Sequence, residues 1–191
     1  TTSFFPSKNL GCYGDGGALF TNDSDLAKRL KAIINHGMYQ RYYHDEIGVN
    51  SRLDSIQAAV LRVKLPLLNT YNASRLKVAL AYNNAFSKIT QLETPVIDKS
   101  STHVFHQYTL KTNSIKREDL IVFLKNKGIP AMVYYPVPLH LQKAYDTGAH
   151  KNEDFPITME LCKTVISLPI HTEMKEDQLK YIIESVKEFF K

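Results

Sequence analysis

The sequence predicts a mixed α/β fold, and three observations carry that prediction. Apolar residues recur every three or four positions over several long stretches. Short runs rich in β-branched and aromatic residues lie between them, and glycine or proline stands at most of the joins. In the second half the order becomes strand, helix, strand, helix, which suggests an antiparallel sheet with helices on one face. The chain has 191 residues, enough for one large or two small domains, and its 43% hydrophobic content is that of an ordinary globular protein.

Taken in order, Gly16 to Thr21 reads as a short strand leaving a glycine cluster. Asn22 or Asp23 can cap a helix whose apolar face is Leu26, Leu30, Ile33 and Ile34, with a stop near Gly37. Met38 to Ser51 has no clean period and reads as an ordered loop, its tyrosines suited to packing or to a subunit interface. Leu53, Ile56, Val60, Val63 and Leu67 mark a long amphipathic helix with Asp54 near its start and a kink at Pro66. Periodicity resumes from Leu76 to Phe86, and a domain boundary falls within 70–90. Residues 103–112 read as a strand with Val104, Tyr108 and Leu110 on one face, and Lys116 to Lys127 as a helix ended by Gly128. Ile129 to Tyr135 reads as a strand stopped by Pro136. A helix around Asp154 to Lys163, a short apolar segment, and a closing helix with Leu179, Ile182, Ile183, Val186, Phe189 and Phe190 on one face complete the chain.

The chemistry-bearing segment is the first, SFFPSKNLGCYGDGGALF. Ser3 and Lys8 flank a stiff turn at Pro6, and Gly11, Gly14, Gly16 and Gly17 let the backbone that follows approach a ligand closely. A lysine amine becomes a nucleophile or proton carrier when its surroundings lower its pKa or convert it to an imine. By itself the segment fits a solvated lysine equally well.

This segment resembles the cofactor-lysine motif of the DegT/DnrJ/EryC1/StrS sugar aminotransferases, and GVNSRLDSIQAAVLRVKL, HVFHQYTL and AMVYYPVPLHLQKAY resemble the same family further along. The resemblance implies a partial fold-type I architecture that uses pyridoxal phosphate. Residues 1–75 would close the large cofactor-binding domain and 76–191 would form the small C-terminal α/β domain. It implies that Lys8 carries the cofactor as a Schiff base, that Ser3 binds its phosphate, and that Asn50 donates to the cofactor phosphate of a partner subunit. Arg52, His36, Tyr134 and Tyr135 would face the substrate. It further implies a homodimer with shared active sites, an amino-acid donor such as glutamate, and a nucleotide-linked keto sugar as acceptor. The CYGDGGALFTND wording is most similar to members that act on UDP-linked 3-keto uronic acids for surface polysaccharides. Residue chemistry alone leaves other roles open. Asn50 and Ser51 suit a helix cap, Arg52 a carboxylate pair, the tyrosines ordinary packing, and His36 a helix C-terminus.

Family members run to about twice this length, with the lysine near their middle. The resemblance therefore implies a half-length chain that lacks the carboxylate for the pyridine nitrogen and the ring that stacks on the cofactor. Such a half is expected to be catalytically silent alone, with exposed apolar surface around Leu19 and Phe20. A sugar dehydratase on the same scaffold is the near alternative, but those relatives carry histidine where Lys8 stands. A non-catalytic interaction fragment is the other.

The net charge is +5, from 24 basic and 19 acidic residues scattered without a dense basic run, which argues against nucleic acid and suits an acidic small ligand. Two cysteines form no metal or disulfide pattern and fit a reducing cytoplasm, and no apolar run reaches membrane-spanning length.

Overall fold

The computed structural model describes residues 1–191 and divides into two compact units, Thr1–Asn69 and Thr70–Lys191. In the first unit, β1 (Thr2–Ser3) and β2 (Gly17–Ala18) pair antiparallel, Thr2 opposite Ala18 and Ser3 opposite Gly17. The strand read over residues 16–21 thus shrinks to two residues. Helix α1 (Ser24–Ile33) starts where Asp23 accepts the amides of Asp25 and Leu26.

The stretch expected as a loop after Gly37 holds a small hairpin, β3 (Met38–Gln40) and β4 (Tyr43–His44). Its tight turn places Tyr42 at φ 72°, and the hairpin was illegible because only three and two residues of it are regular. Gly37 has φ 74°, and a Cβ there would overlap the carbonyl oxygen of Glu46, so no larger residue fits that crossing. Glu46 itself binds two side chains, accepting from Arg29 Nε at 3.0 Å and from the Tyr39 hydroxyl at 2.5 Å.

Helix α2 (Ser55–Lys64) is capped by Asp54, whose carboxylate accepts the Ile56 amide at 2.7 Å. The expected kink at Pro66 is a full break: α2 ends, Leu65–Leu67 form a 3-10 turn, and α3 (Leu68–Phe86) begins. Proline lacks the amide that would continue the α-helical ladder. The apolar stripe that marks this helix in the sequence is not its buried face. Ile56 and Val63 are 71% and 73% exposed, whereas Leu61 is buried.

The second unit is built on a three-stranded antiparallel sheet in the order β5 (Leu92–Glu93), β6 (Tyr108–Thr112), β7 (Val165–Leu168). Tyr108 lies opposite Leu168 and Leu110 opposite Ile166. Strand β5 falls in a polar, proline-bearing stretch that carried no strand signal. The strand read over 103–112 begins only at Tyr108. Phe105, at φ 41°, turns its ring into the core, and Val104 stays exposed. Residues 129–135 form no strand either. Only Met132 bridges to Ser167, because the flanking prolines Pro130 and Pro136 cannot donate to a ladder.

Helices α4 (Arg117–Asn126), α5 (Pro156–Thr164) and α6 (Glu176–Phe189) complete this unit. Tyr82 and Phe86 of α3, Tyr108 and Leu110 of β6, Leu120 and Leu124 of α4, and Val186 of α6 meet in one core. The Tyr82 and Tyr108 rings lie 4.8 Å apart, and burial pushes both phenols well above their ordinary pKa. Every β7 residue is buried, so this strand is covered on both faces rather than on one. Arg75 is buried in α3 and spreads Nη1 across the carbonyls of Phe105, His106 and Ile170 at 3.2, 3.1 and 3.2 Å. Those contacts hold the irregular segment before β6 and the one after β7 to a single side chain.

Candidate functional site

Lys8 sits at the tip of a closed loop. Pro6 occupies the second position of a turn in which the Lys8 amide donates to Phe5 O at 2.8 Å. The neck is fastened by Phe4 N to Gly16 O and Cys12 N to Phe4 O, both 2.8 Å. Buried Cys12 adds its thiol, which donates toward Phe4 O and Gly14 O at 3.0 Å. Gly11 packs so closely that a Cβ there would lie 2.5 Å from Pro6 O. The Lys8 side chain is half-buried, while Ser3 on β1 is exposed. Ser3 Oγ accepts the Phe5 amide at 3.2 Å, which leaves its hydroxyl proton to donate elsewhere.

Asn50 and Arg52 stand on the strand-like run that enters α2. Asn50 bridges to Asn35, and Arg52 Nε donates to Asn50 Oδ1 at 3.2 Å. With its oxygen engaged, the Asn50 amide offers its N–H donors, the polarity a phosphate requires. Two alternatives from sequence are corrected here. The cap of α2 is Asp54 rather than Asn50 or Ser51, and Arg52 bonds to Asn50 rather than to a carboxylate.

A cleft of about 1020 Å³ is lined by Asn50 and Arg52 together with Gly16, Gly17, Leu19 and Phe20, the last 75% exposed. Neither Ser3 nor Lys8 lines it. His36 has φ 61°; its amide bonds to Val49 O and its carbonyl accepts from His44 Nδ1, so its backbone fixes the hairpin while its ring stays exposed. Tyr134 and Tyr135 belong to the second unit, where their rings meet edge to face at 5.5 Å and both are exposed. The first unit thus gathers Ser3 and Lys8 on one loop and His36, Asn50 and Arg52 on two adjoining segments.

Two residues that sequence reasoning passed over belong with this site. Gln57 Oε1 accepts the Tyr13 amide at 2.8 Å, and Lys64 Nζ donates to Gly11 O at 2.5 Å while lying 5.5 Å from the Tyr13 ring centre. Their seven-residue spacing on one helix face was the available signal.

An amine, a hydroxyl and a side-chain amide form a donor set suited to a phosphate-bearing aldehyde. Residues 1–187 match the DegT/DnrJ/EryC1/StrS aminotransferase family. The chain belongs to this family. It is 44% identical over its whole length to 51% of a "pleiotropic regulatory protein" of Geobacillus stearothermophilus. It is also 42% identical, over 95% of the chain and 49% of the relative, to a UDP-2-acetamido-2-deoxy-3-oxo-D-glucuronate aminotransferase of Pseudomonas aeruginosa. Among solved structures, Streptomyces venezuelae DesV in complex with a ketimine intermediate superposes with a TM-score of 0.93 at 38% identity, over 99% of this chain and 50% of DesV. NtdA of Bacillus subtilis, solved with bound cofactor PMP, gives 0.88 at 26% identity over 98% of this chain and 45% of NtdA. The DegT/DnrJ/EryC1/StrS chain therefore spans about half the length of the relatives it matches. No helix in it is long and apolar enough to cross a membrane.

Proposed function

We propose that the complete protein is a pyridoxal-phosphate-dependent aminotransferase that moves an amino group, with glutamate as donor, onto a keto group of a nucleotide-linked sugar. The observation that carries this reading is Lys8 itself, a half-buried amine at the tip of a loop closed by backbone and thiol hydrogen bonds. When bound, the cofactor supplies the electron sink that lets nitrogen leave one carbon and join another. With the cofactor bound, Lys8 Nζ would hold it covalently and would be the amine that carries the proton at the α-carbon of the donor.

Ser3 Oγ and the Asn50 amide would donate to the cofactor phosphate, Asn50 to that of a partner subunit in a homodimer. Arg52, bonded to Asn50 and bordering the same cleft, faces an acidic group of the substrate. His36 in the first unit and, separately, Tyr134 and Tyr135 in the second are the further residues assigned to sugar contact by the family resemblance. Residues up to about 75 form the end of the large domain and the remainder the small one.

For the acceptor we take a UDP-linked 3-keto uronic acid, destined for surface polysaccharide. The Pseudomonas relative supports this choice, and an arginine at position 52 suits a carboxylate. The 38% identity to a dTDP-3-amino-3,4,6-trideoxy-alpha-D-glucose transaminase of Streptomyces venezuelae keeps a dTDP-linked deoxysugar as the second reading. Kinetics of the full-length protein with both acceptors separate them. The first reading predicts kcat/KM at least tenfold higher for the uronic acid, with the preference lost in Arg52→Met. Equal or inverted preference favours the second.

A further inference from the structure

We propose that Gln57 is a positioning residue for Lys8 and that α2, through Gln57 and Lys64, sets where the Lys8 amine stands. This inference rests on the reading of Lys8 as the cofactor-bearing amine. Gln57, Leu61 and Lys64 share one face of α2, spaced by four and three residues. Leu61 is the buried residue of the helix, and the two polar side chains on either side of it reach the loop that follows Lys8. Gln57 takes the Tyr13 amide at 2.8 Å and lies over Gly14, where an added Cβ would meet its amide at 3.4 Å. Lys64 takes the Gly11 carbonyl at 2.5 Å and covers the Tyr13 ring.

Gly11 is the close point of the Lys8 loop, packed against the carbonyls of Pro6 and Phe5. A force on Gly11 O is therefore passed to the turn that carries Lys8 within a single van der Waals contact. Helices hold functional groups more rigidly than loops do, and here the helix supplies the rigidity to a loop that carries the reactive group. The geometry supports this role, since Lys64 spends its ammonium on a backbone carbonyl of the Lys8 loop rather than on a carboxylate. The apolar stripe of α2, on Ile56 and Val63, points away from this contact, so the face that meets the loop is the polar one.

The test uses the full-length protein with Gln57→Met, which removes the acceptor at similar length, Gln57→Glu, which keeps it, and Lys64→Met. Backbone amide exchange is measured on the cofactor-free protein, and the pH dependence of borohydride-fixed cofactor on Lys8 is measured on the loaded one. Loss of the clamp is expected to speed exchange across residues 11–14 by about fivefold, the value of one ordinary hydrogen bond. Residues 108–112 serve as the unaffected reference. Gln57→Met and Lys64→Met are each expected to move the pH midpoint of Lys8 fixation, and Gln57→Glu to restore it. Unchanged exchange in both Met variants overturns the clamp. Faster exchange with an unmoved Lys8 profile overturns the positioning role and leaves a structural one. If the unmodified protein fixes no cofactor on Lys8, the aminotransferase reading fails, while the exchange arm still decides the clamp. Should Gln57→Met not fold, Lys64→Met and Gln57→Glu carry the same comparison.

Discussion

Gly11 shows how much of the Lys8 loop is decided by a residue without a side chain. A Cβ at this position would lie 2.5 Å from Pro6 O and 2.8 Å from both Phe5 O and Pro6 C, all backbone atoms that cannot step aside alone. Gly11→Ala is therefore expected to push the Pro6–Lys8 turn outward, at a cost of about 1–3 kcal/mol in strain or shifted backbone. In the full-length protein this should lower the fraction of Lys8 that borohydride fixes to the cofactor at least tenfold, measured by peptide mass. Melting of the second unit should be little changed. Roles for Lys8 and Ser3 came only with the family resemblance, although the turn and the glycines were legible because proline and glycine announce their backbone demands. Gln57 and Lys64 were not, since polar residues on a predicted helix read as solvated until the loop they bind is folded against them. Cys12 was read only as lacking a disulfide or metal pattern, and its two carbonyl contacts came from the fold.

Helix α2 and the hairpin after α1 make the same distinction at the scale of elements. Periodicity found α2 and put Asp54 near its start, but the apolar stripe that marked the helix is not its buried face. A stripe at helical spacing says that a face is apolar; it does not say what covers it. The hairpin escaped because its strands are too short to show alternation. It is held instead by Glu46 between Arg29 and Tyr39, with Lys28 5.8 Å from the Tyr39 ring centre. Hydrogen bonds from Tyr39 and then Arg29 hold the Glu46 carboxyl below its ordinary 4.5, while the bond to Glu46 holds the Tyr39 phenol above its ordinary 10.0. A depressed acid stabilises the fold above its unfolded pKa and loses that contribution as pH falls through the folded value. A phenol with a raised pKa contributes below its unfolded value and loses that as pH rises. The hairpin should accordingly be firmest between about pH 5 and pH 9.5 and loosen on both sides, seen as faster amide exchange at residues 38–46. Glu46→Gln should remove the acid-side change. An exchange rate at pH 4 that is equal in both proteins, after correction for intrinsic chemistry, contradicts this.

Arg75 was read as no more than the residue after which helical periodicity resumes, but it is the polar centre of the second unit. Its three backbone carbonyl acceptors belong to segments that make no ladder there, so no strand neighbour replaces the lost donors. Burial lowers its pKa without threatening its charge. Arg75→Met should destabilise this unit by about 3 kcal/mol, because three carbonyls lose their donor together. Denaturant unfolding followed by tyrosine fluorescence measures it, and a loss below about 1 kcal/mol means that water takes over the carbonyls.

For the molecule as a whole, the alternation of helix and strand patterns and the family resemblance gave the α/β class and the antiparallel sheet. They missed β5 and overcalled residues 103–107 and 129–135, where proline and a positive φ break regularity. The site was legible only as far as its residues lie on short local motifs. What sequence did not show is which groups the fold joins, such as Arg52 to Asn50 or Gln57 to Tyr13. The proposed sharing of sites between subunits has its own test. Lys8→Ala and Asn50→Ala variants of the full-length protein, each with little activity, should regain up to about a quarter of it when mixed and allowed to exchange subunits, since one of four sites keeps both groups. No recovery with exchange demonstrated places Asn50 in its own subunit's site or in none.

The central claim is that Lys8 carries the cofactor. The most direct measurement is borohydride reduction of the full-length protein equilibrated with pyridoxal phosphate, followed by peptide mapping of the fixed cofactor. The account predicts near-stoichiometric label on the peptide containing Lys8, and none, with no transamination, in Lys8→Ala. Label on any other lysine, or full transamination by Lys8→Ala, contradicts it.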